Sequence, residues 1–338
     1  MSTNEESPEP AGGRIVGLNV LVLVVLLGLA AYRAARPDMR RPFTTDELLT
    51  VRYYTWAGLG PALKDRPLPN IQDFYDLPRP GPRQFAGGMY CSAGRWPEPN
   101  NHVLNSMLMN FSMALGGTTE FFARLPALLG TACFALAVYF LCSFVLGWRE
   151  AAPLAMVWAW FLPYSVVYAQ TARGYGLVCA LQVLFILAVY RLARKPRSLP
   201  WAGVLVVLAT LSVLNVVSMS VDWVLPAYAA LLLSSPRDLK IGEDGTSTGL
   251  WRKTLSAQFI AVVALSFAFF TAHLPRLYSS AAQYGVQFGS IREFFVVAGR
   301  IFSYHFRGLG WTVFALAGVG GLAALAMGLV FLGVKGGE

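Results

Sequence analysis

Charge is scarce in this chain: of 338 residues only 13% are Asp, Glu, Lys or Arg, while 56% are hydrophobic, and mean hydropathy is +0.52. That balance excludes an ordinary soluble domain and makes lipid the expected solvent for most of the chain. Histidine is scarcer still, with three residues, and cysteine has four. No histidine pair has zinc-ligand spacing, and no Gly-rich phosphate loop with a following Lys-Ser/Thr occurs. The missing phosphate loop argues against nucleotide hydrolysis. Cys133, Cys142 and Cys179 fall in apolar stretches, and Cys91 stands alone in a polar one, so the cysteines point to no disulfide framework.

What fills the chain instead is long apolar runs of about 17 to 25 residues, the length that crosses a bilayer as a helix. They cover Ile15 to Tyr32, Phe122 to Phe144, Ala151 to Ala169, Tyr175 to Ala193, Trp201 to Val217, a short Val221 to Ser234, Leu255 to His273 and Leu309 to Val334. The expected fold class is therefore all-α, a polytopic transmembrane protein of about eight spans. Residues 1–13 form a polar tail on the cytoplasmic side, 14–338 the membrane domain, and 33–119 a long non-cytoplasmic first loop with interfacial helices. The first run is followed by Arg33, Arg36, Arg40 and Arg41 with no small-residue cleavage site, which reads as a retained anchor. The short loops after alternate spans carry Arg149, then Arg194, Lys195 and Arg197, then Arg237, Lys240, Arg252 and Lys253, which places them in the cytoplasm. The net charge of +9 is thereby explained by topology, and nucleic acid is not an expected partner. The arginines after the first span are candidates for anionic lipid headgroups.

The first loop divides into a helical stretch from Thr44 to Leu63, with Thr44 or Thr45 as N-cap before Asp46 and Glu47, an irregular stretch from Lys64 to Pro99, and an apolar helical pattern from Asn101 to Leu115. Adjacent carboxylates such as Asp46 and Glu47 suit general-base work or a shared cation, though a helix N-terminus decorated with acids has the same pattern. His102 reads as a cap or a hydrogen-bonding partner. Arg124 and Arg173 are either snorkelling anchors or forks for phosphate. Asn110-Phe-Ser112 matches a glycosylation acceptor by chance, inside an apolar helix.

The ordered set of Asp46-Glu47, Asn100-Asn-His-Val-Leu-Asn105, Phe121-Phe-Ala-Arg-Leu-Pro-Ala-Leu-Leu-Gly130 and Tyr168-Ala-Gln-Thr-Ala-Arg-Gly-Tyr175 resembles the family 39-like membrane glycosyltransferases of the GT-C superfamily, over residues 14 to 195. That group includes protein O-mannosyltransferases and the aminoarabinose transferase acting on lipid A. The resemblance implies an inverting transferase in the plasma (inner) membrane, with its site on the non-cytoplasmic side. The donor it implies is a polyprenyl-phosphate-linked sugar, and the acceptor a lipid, glycan or protein. It implies Asp46 as general base, Glu47 as a second acid that orients the acceptor or helps hold a cation, Arg173 on the carrier phosphate with Tyr175 lining the same cavity, and His102 and Arg124 as scaffold of the substrate site. No cofactor is required by the pattern; a divalent cation is compatible with it, Glu47 and His102 being its candidate ligands. Val103 departs from the proline that many members place after the histidine, and relatives continue through further spans beyond a length of 338, which bears on acceptor choice. A transporter or flippase, and a non-catalytic protein that binds the carrier lipid, are the alternative readings.

Overall fold

A computed structural model describes residues 11–59, 75, 77–93, 102–195, 198–216 and 248–270, with short pieces between 220 and 232. All of them belong to the first of two compact units, Met1–Arg276. Every regular element among the described residues is helical. In chain order these are α1 (Ala11–Ala35), a short turn of helix at Pro37–Arg40, α2 (Thr45–Tyr54), a second short turn at Trp56–Leu59, α3 (Pro82–Ser92), α4 (Val103–Gly116), α5 (Glu120–Phe140, continued by a wider turn over Leu141–Val145), α6 (Ala152–Phe161), α7 (Pro163–Tyr168), α8 (Tyr175–Arg194), α9 (Leu199–Asn215) and α10 (Thr248–Phe270).

Two of these are long and apolar enough to cross a membrane, Glu120–Val145 and Tyr175–Arg194. Val20–Ala35, Val103–Gly116, Ala152–Phe161 and Leu199–Asn215 are apolar but shorter. The expected count of about eight spans is thus not reached within the described residues. The run from Leu309 to Val334, half of Val221 to Ser234 and residues 274–308 lie outside them.

α5 and α8 form the central pair. A Cβ on Gly130 would lie 2.8 Å from the Leu177 backbone nitrogen, and one on Gly176 would lie 2.5 Å from Thr131 Oγ1. Two glycines facing a helix neighbour let backbones approach to a distance that larger residues forbid. Around this pair, Val22, Leu26, Leu128, Tyr139, Met156 and Trp160 join α1 and α6 to α5. Phe185, Leu205, Leu255 and Val262 join α9 and α10 to α8. Val51, Trp56, Met109, Met113 and Ala123 seat α2 and α4 against the start of α5.

Ala151 to Ala169, read as one span, is two helices. Leu162 has ψ 136, because the ring of Pro163 disfavours a helical conformation in the residue before it. Carbonyls freed by the break find donors, and Ser165 O, which already accepts from Ala169 N, takes a second. Ser165 Oγ donates to Ala159 O at 2.7 Å, and Arg33 donates to Trp160 O (3.4 Å) and Ser165 O (3.3 Å) with its guanidinium over the Trp160 ring at 4.6 Å. Arg33 is 5% exposed, so it is a helix-end partner and leaves Arg36, Arg40 and Arg41 as the outward-facing arginines of that group. Arg36 itself pairs with Asp38 at 3.7 Å.

The stretch from Lys64 to Pro99, expected to be irregular, contains α3. Gly81 and Pro82 start it, the backbone N–H of Gly81 donating to Gln84 Oε1 (3.1 Å), since proline is tolerated in the first turn, where its missing N–H would have no partner. Gly88 then admits the Trp56 backbone, which a Cβ would meet at 2.5 Å. Cys91, expected to be exposed, is buried on this helix, and Cys133 on α5 is the exposed one.

α4 turns polar as well as apolar side chains inward and apolar ones outward. Asn105, Ser106 and Asn110 are buried, whereas Leu108, Phe111 and Leu115 are exposed. Asn110 is a buried hub: its amide nitrogen donates to Tyr54 O (2.8 Å), Gly88 O (3.2 Å) and Ser92 Oγ, and its Oδ1 accepts from Trp56 N (2.7 Å). A side chain so enclosed cannot serve as a glycan acceptor in the folded chain.

Candidate functional site

The site begins with a cap. Thr44 has extended backbone angles and its Oγ1 accepts from Glu47 N (3.3 Å), while Glu47 Oε2 accepts from Thr44 N (2.9 Å) and from Thr44 Oγ1 (3.1 Å). This reciprocal arrangement satisfies donors at the N-terminus that the helix itself cannot. It also turns the Glu47 carboxylate inward, where Arg124 on α5 meets it with two bonds: Nε to Oε1 at 2.9 Å and Nη2 to Oε2 at 2.8 Å. Two parallel bonds from a planar fork are the strong form of this pairing. Arg124 spends its remaining N–H groups on the carbonyls of Asp38 (3.2 Å), Met39 (3.4 Å), Arg41 (2.7 Å) and Pro42 (3.3 Å). The segment between α1 and α2 is therefore wrapped around one buried guanidinium.

Glu47 Oε1 takes one more donor, the backbone N–H of Ala172 at 2.8 Å. Burial by itself pushes the Glu47 carboxyl upward, but the bonds from Arg124, Thr44 and Ala172 outweigh it and hold the group below its ordinary value. With five donors on two oxygens and 1% exposure, Glu47 is a structural carboxylate in this arrangement. Acceptor orientation and cation binding, the roles implied for it, would each need a lone pair that Arg124, Thr44 and Ala172 already occupy.

Ala172 belongs to the turn between α7 and α8, and Arg173 follows it. Asn105 Nδ2 on α4 donates to Ala172 O (3.3 Å), and Asn215 Nδ2 at the end of α9 donates to Gly174 O (2.6 Å). The Arg173 guanidinium, half-buried, donates through Nη1 to His102 Nε2 at 3.3 Å. A guanidinium has no acceptor, so Nε2 must carry a lone pair and the ring must be neutral with its proton on Nδ1. Burial, and next the charge of Arg173, bring His102 down to about 4, partly opposed by the neighbouring Asn215 backbone. The His102 ring meets Tyr175 edge to face at 5.3 Å, and Tyr175 is followed by Tyr168 at 4.5 Å and Tyr164 at 4.3 Å. An aromatic wall thus flanks the one basic side chain of this turn.

Six residues singled out in the sequence fall as follows. Glu47 and Arg124 form one buried unit, His102, Arg173 and Tyr175 form a second, and the Ala172 peptide joins them. Asp46 lies in the first turn of α2, and its side chain lies outside the described ones, as does its distance from Arg173. Among the described residues no group of three or more His, Cys, Asp or Glu side chains is placed to hold a metal. Asn105 and Gly174 stand in the quoted motifs with no role assigned by the sequence, and Asn215 stands outside them. Asn215 carries a signal all the same, being an amide in an otherwise apolar run, where a polar side chain needs a partner. Two apolar grooves of about 450 and 410 Å³ are walled by the middle and end of α8, whereas Arg173 precedes its first turn.

Compared with protein-family profiles, curated proteins and solved structures, the chain gives no match.

Proposed function

We propose that this chain is a membrane glycosyltransferase that moves a sugar from a polyprenyl-phosphate carrier to an acceptor on the non-cytoplasmic face. One observation carries the reading: the four ordered sequence motifs meet. Asp46-Glu47 is tied to Phe-Phe-Ala-Arg through Arg124 and, across 125 residues, to the Tyr-Ala-Gln-Thr-Ala-Arg-Gly-Tyr turn through Ala172. The Asn-Asn-His segment reaches the same turn through Asn105 and His102. Residues so far apart in sequence converge on one partly exposed arginine flanked by tyrosines, which suits a phosphate with a sugar attached.

In this reading Asp46 takes the proton from the acceptor, the acceptor attacks the anomeric carbon from the face opposite the phosphate, and the bond from that carbon to the phosphate oxygen breaks. Arg173 balances the charge that develops on the departing phosphate. Glu47 and Arg124 hold the frame. The chain sits as a multi-pass protein of the inner membrane, with the α8 end that carries Arg191 and Arg194 in the cytoplasm. The outward apolar face of α4 supports lipid as its surroundings. Translocation is less well supported, because the charges of the two long helices are confined to their ends, near Glu120 and Arg124 in one and Arg191 and Arg194 in the other.

The test is transfer from a panel of polyprenyl-phosphate hexoses and pentoses in membranes holding the wild type or Asp46→Asn. Loss of transfer with unchanged membrane insertion is expected. Undiminished transfer by that variant removes Asp46 as base, and wild-type protein that binds carrier but transfers nothing shifts the reading to a non-catalytic carrier-binding protein.

A further inference from the structure

Asn215 is the last residue of α9 and is fully buried. It touches both members of the basic pair's surroundings. Its Nδ2 donates to Gly174 O at 2.6 Å, and its backbone lies beside the buried His102 ring. The fit at the first contact is tight: a Cβ on residue 174 would lie 2.4 Å from Asn215 Oδ1. Gly174 has φ −76, a conformation open to any residue, so the approach of Asn215 is what demands glycine there.

Arg173 is thereby fastened on both flanks. Ala172 is held through its N–H by Glu47 and through its carbonyl by Asn105, and Gly174 is held through its carbonyl by Asn215. An amide buried in an apolar helix is costly unless bonded, and here its N–H bonds the residue that follows Arg173.

We propose that Asn215 is the positioning residue of the Arg173–His102 pair, its amide fixing the turn that holds Arg173 against the His102 ring. The ligand-binding arm of the test rests on the carrier-phosphate reading of Arg173; the histidine arm does not.

The test uses the full chain in phosphatidylcholine nanodiscs, labelled at histidine. The sequence has three histidines, at 102, 273 and 305, and H102Q assigns the resonance. The groups facing the ring are the Arg173 guanidinium, the Tyr175 ring and the Asn215 backbone. Wild-type His102 is expected to titrate near 4 as the Nδ1–H tautomer. In N215A, and in the near-isosteric N215L that keeps the volume if the alanine variant unfolds, the turn is released, Arg173 moves from the ring, and the midpoint rises by about one unit or more. S212A, which loses a bond from Ser212 Oγ to Leu208 O within the same helix, is expected to leave the midpoint unchanged. Undecaprenyl phosphate is the second probe: N215L should weaken its binding about tenfold, and R173Q more. G174A should disturb His102 in the wild type and much less alongside N215A, which removes the clashing oxygen.

A His102 midpoint and tautomer unchanged in both Asn215 variants overturns the proposal. A shifted midpoint in a wild type that does not bind undecaprenyl phosphate leaves Asn215 in its role and removes the carrier reading instead.

Discussion

Arg124 and Glu47, 77 residues apart, share two hydrogen bonds of 2.9 and 2.8 Å with side chains 0% and 2% exposed. Neither charge reaches solvent. Each is compensated by the other and by backbone groups, and the pair joins α2 to α5, the α1–α2 segment and the turn before α8.

Removing one partner of a buried pair leaves a charge with no compensation, which costs about 3–5 kcal/mol. R124M and E47Q should each unfold at markedly lower denaturant in detergent solution, and the double variant should cost less than the sum of the two. Additive losses would mean that the two side chains do not act as a unit.

The neutral state of His102 has a pH signature. Its value is about 4 in the folded chain and 6.5 as the reference, so between those pH values the unfolded chain binds more protons and stability rises with pH. The contribution, at most about 3 kcal/mol, is complete above 6.5 and lost as pH falls toward 4. H102Q should flatten unfolding free energy against pH in that window. Glu47, lowered from 4.5, adds stability above 4.5 that is lost as pH falls below it, and H102Q should leave that acid limb in place.

Close approach of α5 and α8 depends on Gly130 and Gly176. G176V must push a branched side chain into Thr131 and the Ala127 carbonyl, at a cost of about 1–3 kcal/mol. Gly28, with nothing within 4 Å of an added Cβ, is the control: G28A should change melting temperature little.

The arginines after α1 should separate by role. R33Q leaves the Trp160 carbonyl without the Arg33 donor and should cost about 1–3 kcal/mol in thermal unfolding. R40Q and R41Q should leave stability unchanged, and they should lower recruitment of phosphatidylglycerol vesicles if those side chains meet lipid headgroups. Unchanged recruitment in the double variant dismisses that lipid contact.

Patterns local in sequence were legible without tertiary structure. Unbroken apolar runs specified the helices at Phe122 to Phe144 and Tyr175 to Ala193, because a period and a length suffice to define an apolar helix. The Thr44 cap needed three residues of context, and Pro163, which divides α6 from α7, is visible in the chain although the apolar run masks it. Composition also separated Asp46, Glu47, His102, Arg124, Arg173 and Tyr175 from their apolar surroundings.

Which of these residues touch was decided by the fold. Glu47 and Ala172 are 125 residues apart, and no periodicity encodes a bond from a carboxylate to a distant backbone N–H. The same holds for Asn215, whose place against Gly174 follows from where α9 ends, and for Arg33, whose partners exist because a helix breaks more than a hundred residues later. The sequence by itself determined the helices and the scarcity of charge among them. Tertiary structure alone decided where each scarce charge is used, because burial makes a charged group depend on whichever donors and acceptors the packed helices bring within 3 Å or so of it.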